Sequence, residues 1–183
     1  MKISAIIPSN GKRKEELEHI VDYITPFFDE VIVQKDVGNQ VYTRYEGIVR
    51  ASNDVIYTQD DDCIIGNIKH LISNYQKDII LANSNAPSRD KYFRLTDGKI
   101  CLIGYGAIFD KSLMDKMEDF RIKLGDDDLF NREADRVFTW LNKKFIVDGD
   151  IKNFQSSMQG MSSHSEHEEY LRRIIIKLKE YEG

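Results

Sequence analysis

Cysteine, proline and long apolar runs are all scarce in this chain of 183 residues, and each scarcity excludes something. The two cysteines, Cys63 and Cys101, lie far apart with no Cys-x-x-Cys or histidine spacing. Neither a zinc site nor a disulfide framework is expected from them, and both read as small buried side chains. The three prolines, Pro8, Pro26 and Pro87, stand singly, and no repeat, low-complexity tract or Pro/Gly/Ser linker divides the sequence. A single domain over 1–183 is expected. Apolar stretches such as Ile100 to Phe109 reach only about half of the roughly 20 residues that a spanning helix needs, so no transmembrane helix is expected. The N-terminus, Met1-Lys2-Ile3-Ser4-Ala5-Ile6-Ile7-Pro8, has no long apolar region and no small-residue cleavage site, which predicts a cytoplasmic protein. With 41% apolar residues the chain can build a core, which excludes disorder as its main state.

Basic charge is also in deficit: 26 Lys and Arg face 31 Asp and Glu, a net charge of −5. That balance argues against holding duplex DNA through phosphate neutralisation. The small basic groups Lys12-Arg13-Lys14, Lys143-Lys144 and Arg172-Arg173 read as solvated faces. A Walker sequence is absent and no G-x-G-x-x-G follows the first apolar run, which removes the main support for P-loop and dinucleotide-binding readings. What the chain does have is aspartate, 19 of its 31 acids.

Hydrophobic periodicity predicts an α/β fold. Ile3 to Ile7, Val31 to Val33, Val55 to Thr58 and Ile79 to Ala82 read as buried strands. Between them, apolar positions at helical spacing occur at Leu17, Ile20, Val21 and Ile24, at Val41, Tyr45, Ile48 and Val49, and at Ile68, Leu71, Ile72 and Tyr75. Continuous apolar strands alternating with amphipathic helices imply a mostly parallel sheet covered on both faces, with ligands at the carboxyl ends of its strands. In the second half, Tyr92 to Leu95, Lys99 to Ile103 and Phe145 to Val147 are expected as strands. Helices are expected over Lys111 to Phe120, over the segment with Phe130, Ala134, Val137, Phe138 and Leu141, and after a Ser165/Glu168 capping box.

Two triple-aspartate runs carry the chemistry. About two D-x-D spacings are expected by chance in a chain this rich in aspartate, so context decides their weight. Asp60-Asp61-Asp62 directly follows an apolar strand. Three adjacent carboxylates repel by roughly 1 kcal/mol or more per pair unless a cation lies between them. Hard oxygen ligands suit Mg²⁺ or Mn²⁺, which bridge to substrate phosphates and so point to a nucleotide diphosphate; the alternative is a solvated turn. Asp126-Asp127-Asp128 precedes a helix, where it reads equally as a helix cap or as the source of a general base, with Gly125 allowing a tight backbone approach. His164 and His167, three apart before the last helix, are candidate ligands that would favour Mn²⁺.

The stretch Arg44 to Asp62 resembles the GT-A fold nucleotide-sugar glycosyltransferases, most closely family 2: Arg44, Gly47, Ala51, Asp54, Asp60 and Asp62 are in register with R-N-x-G, A-x-G-D and D-x-D. Tyr45 stands where the pattern has Asn, and Asn53 where it has Gly. Gly104-Tyr105-Gly106-Ala107 is similar to the glycine-rich acceptor segment and Gly125-Asp126-Asp127 to the G-E-D motif. Gly160-Met161 with His164 to His167 is similar to exostosin-like retaining enzymes. The resemblance implies a GT-A (Rossmann-like) domain whose nucleotide-binding half is about 1–95 and whose acceptor half is about 96–183. It implies transfer of a sugar from a nucleotide-diphosphate donor, UDP-sugar first, to a hydroxyl with Mn²⁺ or Mg²⁺. Pro8, Ser9 and Asp36 would bind base and ribose, Arg44 the base or phosphates, and Asp61 the nucleotide. Asp60, Asp62 and His164 would hold the metal, and Asp127 would be the base of an inverting reaction. A small glycan is the first choice of acceptor, with a protein side chain, a lipid head group or a hydroxymethylated DNA base also open. A nucleotidyltransferase and a non-catalytic nucleotide- or cation-binding module remain as alternatives.

Overall fold

The computed structural model describes residues 1–38, 40–84, 96–154 and 167–183. Its centre is a six-stranded sheet in the order β2-β1-β3-β6-β5-β7. The strands are β1 (Ile3–Ser9), β2 (Glu30–Lys35), β3 (Val55–Thr58), β5 (Ile80–Ser84), β6 (Ala107–Asp110) and β7 (Lys144–Asp148). Five run in one direction. Only β6, between β3 and β5, runs against its neighbours. Two three-residue strands, β4 (Cys63–Ile65) and β8 (Ile151–Asn153), pair antiparallel beside it.

Strand alternation divides the interior into two layers. On β1, Ile3, Ala5 and Ile7 face one cluster with Ile20 and Ile24 of α1 (Lys14–Ile24) and Ile68 and Leu71 of α3 (Ile68–Ser73). Ile6, Ile56, Phe109 and Ala107 face the other. That second cluster is closed by α2 (Thr43–Arg50), α4 (Asp115–Leu124), α5 (Asp127–Leu141) and α6 (His167–Glu182). Helices on both faces explain why the strands read as unbroken apolar runs. No helix among the described residues is long and apolar enough to cross a membrane.

The expected strands of the first half are all present, and the second half departs from expectation at one place that shapes the site. Lys99 to Ile103 is not a strand. The apolar run continues through a 3₁₀ turn at Ile103–Tyr105, and pairing begins only at Ala107. Gly106 takes φ +92, a left-handed value that ends any extended run begun earlier. Tyr92 to Leu95, Ser165 and the exostosin-like segment at Gly160 lie outside the described residues. The register of α2 also differs, because Gln40–Tyr42 is a 3₁₀ turn that places Val41 ahead of the helix and leaves Val49 exposed. Tyr45 and Ile48 are buried as expected, and Thr43, Arg44 and Gly47 are buried with them.

Phe138 of α5 is fully buried, with its ring 5.5 Å from Tyr45 of α2 and 4.7 Å from Phe109 of β6. Phe138→Ala is expected to cost about 3–5 kcal/mol, read as a lowered urea midpoint with an unchanged slope.

Candidate active site

Connections on either side of β1 open a crevice at the carboxyl ends of β2, β1 and β3, where the strand order reverses. A cleft of about 330 Å³ lies there, lined by Pro8, Ser9, Asn10, Lys12, Arg13, Asp36, Gln40, Val41, Arg44, Asp60, Asp61, Asp62 and Asp135. All seven residues expected on the donor side are in that lining.

The turn carrying Asp60 to Asp62 is held from below. Gln59, fully buried, accepts from the Tyr57 hydroxyl (2.9 Å) and donates to the Cys63 carbonyl (2.8 Å), so one amide spans the turn. The Asp60 N–H donates to the Gly104 carbonyl at 2.8 Å. A Cβ at position 104 would overlap the Asp60 carboxylate, so the glycine permits this approach. Gly104 supports the first aspartate run from behind, a role that its resemblance to an acceptor segment did not indicate.

Arg44, 3% exposed, lies beneath the turn. It donates to Asp60 Oδ1 at 2.5 Å, to Thr58 Oγ1 at 2.6 Å, and through Nε and Nη2 to Asp135 at 3.1 and 3.3 Å. Burial opposes its charge, but Asp135 and then Asp60 outweigh that and raise its pKa far above the ordinary value. Four of its five N–H groups are thus taken up by the protein. Asp135, on α5, also accepts from the Tyr45 hydroxyl at 3.0 Å, and burial pushes its own pKa up.

Asp61 is 5% exposed; Arg13 holds its Oδ1 at 2.8 Å, whereas Oδ2 is buried without a hydrogen-bond partner. Arg13 also stands 4.0 Å from Asp62. This corrects the reading of Lys12-Arg13-Lys14 as a solvated face: Lys12 and Arg13 line the cleft. Asp36 shapes its own loop, with Oδ1 accepting from the N–H groups of Gly38 and Gln40 and from the Thr43 hydroxyl.

Asp127 is not in the cleft lining. Each aspartate of the second run has an arginine: Asp126 pairs with Arg173 and caps α5 at the Leu129 N–H, Asp127 pairs with Arg121, and Asp128 pairs with Arg132. The Asp127 side chain is 72% exposed. Gly125 ends α4 at φ +64, and a Cβ there would meet open space, so it serves helix termination and not close approach. His164 lies outside the described residues, and His167 opens α6.

Among the described residues, no group of three or more His, Cys, Asp or Glu side chains is arranged to hold a metal ion. Asp60 and Asp62 form a hard two-carboxylate set beside the unpartnered Asp61 oxygen. Such a set fits Mg²⁺ or Mn²⁺, which complete their shells with water and phosphate oxygens, and does not fit an all-protein cage.

No protein-family model matches the sequence, and no curated protein matches it. The fold itself is shared with solved glycosyltransferases. S. aureus TarS 1–349 in complex with UDP-GlcNAc superposes with a TM-score of 0.55 at 15% identity, covering 97% of this chain and 66% of that one. A mutant Drosophila β-1,4-galactosyltransferase 7 in complex with manganese, UDP-Gal and xylobiose gives 0.53 at 15% identity, covering 93% and 79%. The mannosyltransferase PcManGT of Pyrobaculum calidifontis, with GDP-Man and Mn²⁺, gives 0.52 at 13% identity, covering 80% and 55%. The chain spans about two thirds of TarS and just over half of PcManGT. The α/β architecture is therefore GT-A-like.

Burial, then the charge of Asp60, pushes the Asp62 carboxyl up from 3.8 to about 6. Because the folded value lies above the unfolded one, this group contributes stability below about pH 4 that is lost as the pH rises towards 6. Asp62→Asn is expected to raise Tm above wild type at neutral pH and to match it in acid. Parallel Tm curves across that range would show that Asp62 is not under this pressure.

Proposed function

We propose that the protein is a metal-dependent glycosyltransferase that moves a sugar from a nucleotide-diphosphate donor, UDP-sugar first, to an acceptor hydroxyl. The observation that carries this reading is the row of polar groups along three strand ends. Asp36 and Gln40 follow β2, Ser9 ends β1, and Asp60 to Asp62 follow β3. Two strand spacings make this row about 10 Å long, room for a nucleoside at the β2 end and a diphosphate at the β3 end. Pro8, Ser9 and the loop shaped by Asp36 would seat base and ribose. The Asp61 oxygen without a partner would accept from a nucleotide hydroxyl or a metal-bound water.

Asp60 and Asp62 would hold Mn²⁺ or Mg²⁺, with His164 as a third ligand. When bound, such a cation supplies charge stabilisation to the leaving diphosphate. The protein's own residues do the rest. Arg44 and Gly104 fix Asp60, Gln59 fixes the turn, and Lys12 and Arg13 place cationic charge beside the diphosphate end. Residues of about 96–183 would form the acceptor half, and a small glycan is the favoured acceptor because the negative net charge disfavours duplex DNA. Asp127, which meets Arg121 through Oδ1 and is 72% exposed, would take the acceptor proton. Asp135 is unsuited to that task, since Arg44 and Tyr45 occupy its oxygens.

The presence of Lys12 and Arg13 in the cleft also favours a second reading, a nucleotidyltransferase using a first-loop cation on a triphosphate. Turnover of a nucleoside triphosphate with a sugar phosphate, releasing pyrophosphate, would select it over sugar transfer.

In a thermal-shift panel of nucleotide sugars with and without Mn²⁺, a UDP-sugar is expected to raise Tm more with metal than without; a ligand at a hundred times its Kd adds about 2.7 kcal/mol. No metal-dependent shift with any nucleotide sugar would sink the donor assignment. Asp127→Asn is expected to keep that shift and to slow transfer by about 10²–10⁴-fold. Undiminished transfer would remove Asp127 from the reaction.

A further inference from the structure

We propose that Asp135 sets the charge at the metal end of the cleft: by sharing Arg44 with Asp60, it leaves Asp60 anionic enough to hold a divalent cation. This inference rests on the metal-dependent reading above and assigns a positioning residue that the aspartate runs do not contain.

The geometry is that of one cation between two carboxylates. Arg44 turns its Nε and one face of Nη2 to Asp135 and the rest of Nη2 to Asp60 Oδ1. Nη1 is held by the Thr58 hydroxyl, which in turn donates to the Ile6 carbonyl at 2.9 Å. The guanidinium is therefore held between the two acids and anchored to β3. Asp135 is fixed from its other side by the Tyr45 hydroxyl. Its side chain is 22% exposed, at the cleft wall, but its oxygens already have partners, so it acts through Arg44 and not on a ligand.

Counting formal charge, Asp60 with Arg44 alone is neutral, whereas Asp60, Arg44 and Asp135 together carry one negative charge. A neutral pair is a poor partner for a divalent cation. The three-membered group attracts it at full strength while still holding Asp60 in one orientation. The same negative charge works against a bare diphosphate. The two ligands are thus predicted to respond to Asp135 in opposite directions, which a residue that merely supports the fold would not produce.

The test uses the full chain, with Mn²⁺ binding followed by the electron paramagnetic resonance of the free ion and metal-free UDP binding followed by calorimetry. Asp135→Asn is expected to weaken Mn²⁺ about tenfold and to leave UDP without metal as tight as in wild type, or tighter. The double variant Arg44→Met with Asp135→Leu removes a charge-neutral pair, a replacement that cores often tolerate. It leaves the Asp60 charge in place, and Mn²⁺ affinity is expected to return to within about threefold of wild type. Equal Mn²⁺ affinity in Asp135→Asn and wild type would overturn the inference, as would parallel loss of Mn²⁺ and UDP or a double variant that stays weak. If Asp135→Asn does not fold, the double variant decides alone. A wild type that binds UDP but no Mn²⁺ would overturn the metal-dependent reading itself, and this inference with it. Normal Mn²⁺ binding that ignores Asp135 would overturn only the inference.

Discussion

A buried guanidinium has to be satisfied on every edge, and the cleft is arranged around that requirement. Arg44 leaves α2 beneath the strand ends and meets Thr58 on β3, Asp60 on the turn beyond it and Asp135 on α5. Removing one partner of such a group leaves an uncompensated charge in a poorly solvated place, which typically costs about 3–5 kcal/mol. The three elements are consequently tied to one another through a single side chain. The Phe138 ring, between Tyr45 and Phe109, packs the same helix against the same region from the apolar side. Polar and apolar contacts therefore agree on where α5 sits, and that position is what brings Asp135 to the cleft wall.

The backbone is under a matching constraint. Asp60 can lie against residue 104 only because that residue has no side chain, and the chain can turn from there into β6 only because Gly106 accepts a positive φ. The antiparallel strand is thus delayed to Ala107, and the 3₁₀ turn ahead of it becomes the floor of the aspartate turn. One stretch of glycines and apolar residues therefore ends the parallel pattern of the sheet and supports the site.

Much of this was legible in the sequence, and the physical reason differs from residue to residue. Strands β1, β3 and β5 were readable because both of their faces are covered, which leaves an apolar run with turn residues at its ends, whereas the edge strand β2, with Val33 exposed, was readable from its β-branched run Val31-Ile32-Val33. The gathering of Pro8, Ser9, Asp36, Arg44 and Asp60 to Asp62 follows from that topology, since carboxyl ends of neighbouring parallel strands are adjacent whatever residues they carry. Asp135 was not readable. It sits on α5 between apolar positions that fix the helix by their spacing, and a lone acid there looks the same in sequence whether it meets water or a buried arginine. Arg13 was misread for a related reason: flanked by Lys12 and Lys14, it matched a solvated basic face, and only its meeting with Asp61, 48 residues away, draws it inward. The short strands β4 and β8 exist by pairing with each other and have too few residues to show a period.

The two triple-aspartate runs show why composition alone does not distinguish a cation site from a cluster already neutralised. Both concentrate three negative charges, and both need neutralising. After β3, the run is pressed between strand ends: Arg44 is divided between two acids, Arg13 serves Asp61 first, and burial, with the Asp60 charge beside it, pushes the Asp62 carboxyl up to about 6. Before α5, the run stands at a helix N-terminus that favours anions, and Arg173, Arg121 and Arg132 supply one cation per acid from α6, α4 and α5 itself. The second cluster is electrostatically complete: it docks three helices and needs no further cation. The first is incomplete, and an incomplete cluster of oxygen ligands at the edge of a 330 Å³ cleft is where an added cation gains most. What separates the two is therefore the supply of arginine in three dimensions, a quantity that depends on which helices pack over which strand ends and that no local pattern of aspartates contains.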